Sequence, residues 1–248
     1  MGRDMTSNTE GFFQRTEMLL GKDAINKLAE CRVAVFGVGG VGGYAVEILA
    51  RSGVGAIDLY DNDVVNTTNI NRQIIATTRT LGRYKVDVAV ERIADINPTC
   101  KARGFKMFYV VANADEVDLS QYDYVIDCID TVSAKMELVR RCTRLGVPII
   151  CSMGAANKLD ASAFRVADIS ETDVDPLARI MRKKLRKEGI EHFKCVFSME
   201  KPLKPLADSD DGNRPVPASN AWVPAAAGII LGGEVVLDLL RNNGLVDK

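Results

Sequence analysis

The run Val33-Ala34-Val35-Phe36-Gly37-Val38-Gly39-Gly40-Val41-Gly42-Gly43 sets the strongest limit on how this chain can fold. Four residues of strand character lead into a Gly-x-Gly-x-x-Gly turn, and a stretch of helical period follows from Val41 to Arg51. Glycines suit such a place when the backbone must turn tightly and an anion must approach main-chain amides, towards which the next helix also presents its positive end. A glycine-rich turn without a ligand is the plain alternative, and the fingerprint alone does not separate a dinucleotide from ATP. Further strands are expected over Ala56 to Tyr60, Ala102 to Val110, Tyr124 to Ile129 and Pro148 to Ser152. They alternate with helices over Tyr84 to Ile96 and Val132 to Leu145. The alternation predicts an α/β, Rossmann-like, doubly wound and mostly parallel sheet.

A C-terminal strand and helix extension begins near Gly154, with a strand expected over Ala161 to Val166. Asp175 followed by Pro176 makes an N-cap and first-turn pair for a helix to Lys187, stopped by Gly189. Leu177, Ile180, Met181 and Leu185 form its apolar stripe. Arg179, Arg182, Lys183, Lys184, Arg186 and Lys187 supply six positive charges with no acid between them. A charge run is by default a solvated face, and here it is also a local phosphate-binding surface on a chain whose 32 basic and 33 acidic residues otherwise balance. Lys201 to Pro217 holds four of the eight prolines and reads as a loop over a site. A final helix over about Ala225 to Arg241 carries Gly228, Gly232 and Gly233, which permit close packing on the sheet. The chain reads as one domain over 1–248, with a nucleotide-binding core at about 11–155 and a substrate-facing extension at about 156–248.

Several classes fall away. No uninterrupted apolar run reaches ~18 residues, because Ala221 to Gly233 contains Pro224 and meets Glu234, so no membrane partner is expected. The polar N-terminus lacks an apolar signal region, so a cytoplasmic protein is expected. The six cysteines form no Cys-x-x-Cys pair, so zinc is not expected. With His192 the sole histidine, a Ser-His triad is improbable. Catalysis must rest on carboxylates, arginine, lysine, backbone amides or a bound cofactor.

Asp61 closes the second strand, where such folds place an acid on ribose hydroxyls, and a nicotinamide oxidoreductase is therefore the first hypothesis. Arg72, in Asn69-Ile70-Asn71-Arg72-Gln73, and Lys85 argue against it. Two cations downstream of the ribose acid suit a triphosphate under attack, and hydride transfer has no such need. The alternative is that both are surface ion-pair residues, and that Asp130 merely caps the helix from Val132.

The glycine turn with Gly37, Gly39, Gly40 and Gly42, the Asp61-Asn62-Asp63 pair, the Asn69 to Gln73 run, Lys85 and Asp127-Cys128-Ile129-Asp130 together resemble the adenylating domain shared by ubiquitin-activating enzymes, MoeB, ThiF and HesA. The match covers about Gly11 to Ala155. It implies that Asp61, with Asp63 and Asn69 near it, holds the nucleotide, that Arg72 and Lys85 hold phosphates, and that Asp130 holds magnesium and faces the reacting phosphate. Arg15 resembles the arginine that reaches into the partner subunit's site, which implies a homodimer. The second half is similar to a subfamily, the TcdA-type tRNA threonylcarbamoyladenosine dehydratases. That likeness rests on Gly154-Ala155-Ala156, Thr172 to Ala178 with its basic helix, Cys195 to Glu200 and the glycine-rich last helix.

The resemblance implies ATP and magnesium as cofactors, with a monovalent cation (Na or K) whose ligands are not marked. It implies adenylation of a threonyl carboxylate in tRNA followed by ring closure, with tRNA on the basic helix. A cysteine desulfurase or sulfur-acceptor partner is also implied, although cyclisation needs no persulfide and Cys195 is expected to be structural or site-lining. Cys128 and Cys151 are expected in the core. The alternatives are adenylation of the C-terminus of a ubiquitin-like sulfur-carrier protein and, more remotely, the nicotinamide oxidoreductase.

Overall fold

The computed structural model describes residues 11–206 and 217–247, so the N-terminal segment and the central part of the loop expected over Lys201 to Pro217 lie outside the described residues. The strands are β1 (Arg32–Phe36), β2 (Ala56–Tyr60), β3 (Lys101–Phe105), β4 (Tyr124–Asp127), β5 (Ile149–Ser152), β6 (Phe164–Asp168) and β7 (Lys194–Ser198). They form one sheet in the order β3-β2-β1-β4-β5-β7-β6. Every pairing is parallel except that of β6 with β7.

Side chains alternate across this sheet with period two. Val33, Val35, Ile57, Leu59, Tyr124 and Ile126 pack into one buried layer, together with residues of α2 (Lys22–Glu30), α3 (Gly42–Arg51), α4 (Lys85–Ile96) and α7 (Val223–Arg241). Ala34, Phe36, Tyr60, Val125 and Cys151 pack into the opposite layer under α5 (Val132–Leu145) and α6 (Pro176–Arg186). The doubly wound expectation therefore holds. The chain leaves β1 towards β2 and β3 and returns to β4 on the other side, which opens a crevice at the carboxyl ends of β1 and β4.

Several boundaries differ from the sequence reading. The strand expected over Ala102 to Val110 stops at Phe105, because the Met107 N–H turns back to the Phe105 carbonyl (2.8 Å) and Tyr109 is drawn into the core. The strand expected to reach Ile129 ends at Asp127. Ala161–Ala163 is a 3-10 turn capped by Asp160, with the strand beginning only at Phe164. Three elements went unread: β7, α2, and the short α1 (Gln14–Leu20), which buries none of its residues.

α7 starts two residues before the helix expected over about Ala225 to Arg241. It runs for 19 residues and, by length and composition, is apolar enough to cross a membrane. Here it is a core helix, with Val223, Ala227, Leu231 and Val235 fully buried. Its Glu234 and Asp238 take the Lys194 ammonium at 2.7 Å each. A Cβ on Gly228 would stand 2.2 Å from the Val41 carbonyl oxygen, and one on Gly232 would stand 2.7 Å from Ile48 Cβ, so both glycines let α7 press on α3. Gly233 faces open space and plays no part in that crossing.

Candidate active site

The crevice is a cavity of about 510 Å³. At its floor Gly37 has φ +89°, and a Cβ there would lie 2.7 Å from the Cys128 carbonyl oxygen. Gly42 sits behind the cavity wall, its own Cβ position 1.8 Å from the Gly37 oxygen, so the two glycines let the turn seat against the β4 loop. Gly39 is different. The nearest side-chain atom to its Cβ position is Gln73 Nε2 at 3.9 Å, so this residue keeps backbone open to the cavity. No side chain caps α3, and its N-cap residue, Val41, belongs to the same wall.

Asp61 ties the turn to β2. Its Oδ2 accepts from the Val38 N–H (2.8 Å) and its Oδ1 from the Asp63 N–H (2.8 Å), which leaves lone pairs on both oxygens for a further donor such as a ribose hydroxyl. The segment from Asp61 to Lys85 then folds back on itself. An isolated antiparallel bridge joins Val64 to Tyr84, and the Lys85 N–H donates to the Asp63 carbonyl (3.0 Å). Lys85 opens α4 with its ammonium 2.6 Å from Asp63 and 4.0 Å from Asp61, so the phosphate-binding cation read from the sequence is held by the acidic pair itself. Asn66 and Asn69 form a reciprocal capping box: the Asn66 side chain accepts from Thr68 N–H and the Asn69 side chain from Asn66 N–H. Asn69 thus shapes the loop that presents Arg72. The Arg72 guanidinium donates to the Thr68 carbonyl (2.6 Å) and to Asn71 Oδ1 (3.0 Å) and lines the cavity without an ion-pair partner among the described residues.

Asp130 is exposed on the opposite wall. The N-cap of α5 is Thr131, and no side chain caps that helix, so capping does not account for Asp130. Beneath it, Asp127 and Lys135 have no exposed side-chain surface and stand 2.9 Å apart. Burial alone lowers the Lys135 pKa, but the Asp127 charge outweighs it and holds the ammonium above its usual value. Among the described residues no group of three or more His, Cys, Asp or Glu side chains is placed to hold a metal ion. Magnesium carried on a nucleotide needs only one or two carboxylates beside the phosphates, which Asp130 suits.

The cavity therefore gathers Gly37, Gly39, Gly40, Asp61, Asp63, Asn69, Arg72, Lys85 and Asp130. It does not include Arg15, which lies exposed on α1. It also includes residues to which the sequence reading gave no site role, although Gln73 and Ala155 stand in its motifs. Gln73 is 6% exposed with no partner for Oε1, and only its place beside Arg72 hinted at it. Phe108 joins the wall because β3 ends early, and Ala155, Ser219 and Pro224 join through the C-terminal half. Cys128 lies past β4 on the cavity wall rather than inside the strand, its thiol pushed up to about 12 by burial. Cys195 and Cys151 are fully buried partners across β7 and β5, and neither lines the cavity.

α6 lies apart from this cavity. Arg179, Arg182, Lys183, Arg186 and Lys187 line a shallow concavity of their own. Ala178, Met181 and Leu185 are its fully buried residues, whereas Ile180, expected in the stripe, is 43% exposed. Arg182 is partly spent, since it donates to the Thr172 carbonyl (2.7 Å) and so braces the turn before the helix.

A model of the ThiF family matches residues 13–221. The tRNA threonylcarbamoyladenosine dehydratase of Bacillus subtilis (strain 168) is 46% identical over 241 residues, spanning 93% of this chain and 95% of that protein. Among solved structures, the AMP complex of E. coli tRNA N6-threonylcarbamoyladenosine dehydratase, TcdA, superposes with a TM-score of 0.85 at 34% identity, covering 94% of this chain and 95% of that one. The ATP complex of the same enzyme superposes with a TM-score of 0.83 at 33% identity, with the same coverage.

Proposed function

The chain belongs to the ThiF family, and from that premise we propose that it is an ATP-dependent enzyme removing water from N6-threonylcarbamoyladenosine in tRNA. The observation that carries this reading is the meeting of the glycine turn, Asp61, Arg72, Lys85 and Asp130 in one crevice, in a chain alike over nearly its whole length to proteins of that name.

The chemistry follows from the charges. A threonyl carboxylate oxygen bonds to the α-phosphorus of ATP while the bond from that phosphorus to the bridging oxygen breaks, releasing pyrophosphate. Arg72 and Lys85 offset the charge that gathers on the departing oxygens, and Lys85 is released from Asp63 as it does so. An atom of the carbamoyl group then bonds to the carboxyl carbon, the bond to AMP breaks, and the nucleophile gives up its proton. The lost oxygen leaves on AMP, and the nucleoside is lighter by one water. The nucleophile is tethered to its electrophile, so effective molarity favours closure without an enzyme cysteine. Magnesium, when bound, supplies positive charge to the phosphate oxygens, and Asp130 is the carboxylate that would hold it.

Two further assignments complete the reading. The concavity on α6 takes the tRNA backbone, supported by its lining of five cations. The active form is a homodimer in which Arg15 serves the partner's cavity, supported by Phe12, Met18 and Leu19, which stand 50%, 77% and 82% exposed beside it.

The test is mass spectrometry of nucleosides digested from tRNA bearing N6-threonylcarbamoyladenosine, after incubation with the protein, ATP and magnesium. Loss of one water, dependent on ATP, is expected. An unchanged mass with an ATP-binding protein would overturn the reading and direct attention to a protein carboxylate, as in the carrier-activating branch of the family.

A further inference from the structure

Two buried side chains join the nucleotide cavity to the basic helix, and the mechanism above uses neither. Lys158 and Asp175 have no exposed side-chain surface, and Lys158 Nζ stands 3.3 Å from Asp175 Oδ2. The Asp175 carboxylate is divided between two tasks. Its Oδ1 accepts from the Ala178 N–H (2.9 Å), which caps α6, and its Oδ2 accepts from the Gly154 N–H (3.1 Å). Lys158 Nζ in turn donates to the Gly154 carbonyl oxygen. Gly154 is thus held at both its amide and its carbonyl, and the next two residues, Ala155 and Ala156, are cavity wall.

The residue before each member of the pair has a left-handed backbone. Among the described residues only Asn157 (φ +59°) and Val174 (φ +50°) are non-glycine with positive φ, and each immediately precedes one of the pair. For a β-branched residue such as Val174 this conformation is an outlier, retained only where the surroundings over-determine it. Apolar residues of similar volume commonly replace a buried ion pair without loss of stability, so stability alone does not call for this arrangement.

We propose that Asp175 and Lys158 are positioning residues that register α6 against the nucleotide cavity, so that a tRNA held by its phosphates on the helix presents its carboxylate to the α-phosphorus of ATP. The proposal rests on the reading of α6 as the tRNA-docking surface. It explains why one carboxylate is shared between a helix cap and a cavity wall: a change at either end is felt at the other.

Asp175→Asn separates the two tasks. Asparagine caps a helix as well as aspartate does, so Oδ1 can keep Ala178, but the amide nitrogen that replaces Oδ2 cannot accept from Gly154. Because Lys158→Met alone leaves a buried carboxylate unpaired and can unfold the protein, the Asp175→Asn/Lys158→Met double variant keeps the site neutral. The rate of water loss at saturating ATP and tRNA is expected to fall about tenfold or more in both variants. The dissociation constants for ATP and for tRNA are expected to stay within about twofold of wild type in both variants; Asp175→Asn alone, which leaves Lys158 buried without its carboxylate, should melt lower, whereas the double variant should melt near the wild-type temperature. A rate per folded molecule equal to wild type, or a rate loss matched by weaker ATP binding alone, would overturn the proposal. Charge reversal at Lys183, Lys184 and Arg186 tests the underlying reading separately: unchanged tRNA affinity there removes the docking surface, whereas weakened affinity with an unimpaired Asp175→Asn enzyme removes only the registering role.

Discussion

Lys135 lies 2.9 Å from Asp127 and donates from the same ammonium to the Ile129 carbonyl (3.1 Å), while Asp127 Oδ1 accepts from the Ile129 N–H (3.1 Å). Both polar groups of Ile129 are therefore held by one buried pair, one residue before Asp130. Removing a single partner leaves a charge buried without compensation. Lys135→Met is expected to cost about 3–5 kcal/mol, read as a lower urea midpoint, and Asp127→Asn/Lys135→Met to recover much of that loss.

Gly39 and Gly42 should respond differently to a methyl group. At Gly39 the added carbon meets open cavity, so Gly39→Ala should melt near the wild-type temperature yet bind ATP about tenfold more weakly, measured by calorimetry. At Gly42 it would stand 1.8 Å from the Gly37 oxygen, so Gly42→Ala should lower stability as well as affinity.

Asp130 and Arg15 can be tested together. Because Asp130 caps no helix, Asp130→Asn should keep its melting temperature and lose turnover by about a hundredfold or more. If Arg15 acts across a dimer, Arg15→Ala is also inactive, and mixing the two inactive proteins should restore about a quarter of wild-type activity through dimers with one intact site. A mixture as inactive as its components sinks the trans assignment.

Asp58 gives a pH dependence with a definite sign. Burial raises its pKa, but hydrogen bonds from Arg103 and Tyr122 and the charges of Arg103 and Arg32 outweigh that and hold it below the usual value. A carboxylate whose folded pKa is lowered contributes its full stability above the unfolded pKa, near ~3.9, and loses it as pH falls through the folded one. The urea midpoint should therefore drop below about pH 4, and Asp58→Asn, weaker at neutral pH, should show a shallower acid fall.

The cysteines should be dispensable for chemistry. Burial pushes the Cys195 thiol up to about 12, and Cys195 lies outside the cavity. Cys195→Ala and Cys128→Ala should each leave the rate of water loss per folded molecule within about threefold of wild type. A loss of a hundredfold would point instead to a sulfur intermediate.

The nucleotide half was legible because its signals are local. Glycines 37 to 43, a strand before and a helix after need no tertiary partner to be read, and Asp175 with Pro176 announced its helix in the same way. What stayed hidden depends on distant contacts. Nothing near Lys158 or Lys135 in sequence marks either lysine as buried, since only an aspartate brought from elsewhere makes burial tolerable. Cys195 to Phe197 is too short an apolar run to read as a strand until β5 and β6 flank it. Phe108 joined the cavity only because β3 stops at Phe105, a boundary set by a turn rather than by composition.

The dependence of α3 on α7 bears on the order in which the molecule can be assembled. The nucleotide turn is synthesised well before the helix that supports it. Yet its buttress, where Gly228 meets Val41 and Pro224 comes within 3.3 Å of the Gly40 Cβ position, arrives near the end of the described chain. Asn71 likewise waits for Ser219, 148 residues later. Contacts so remote in sequence form late and slow the search for the native state. A nascent chain therefore carries an unfinished cradle until α7 has been made, and the capacity to hold nucleotide emerges only when that helix closes on β1 and α3.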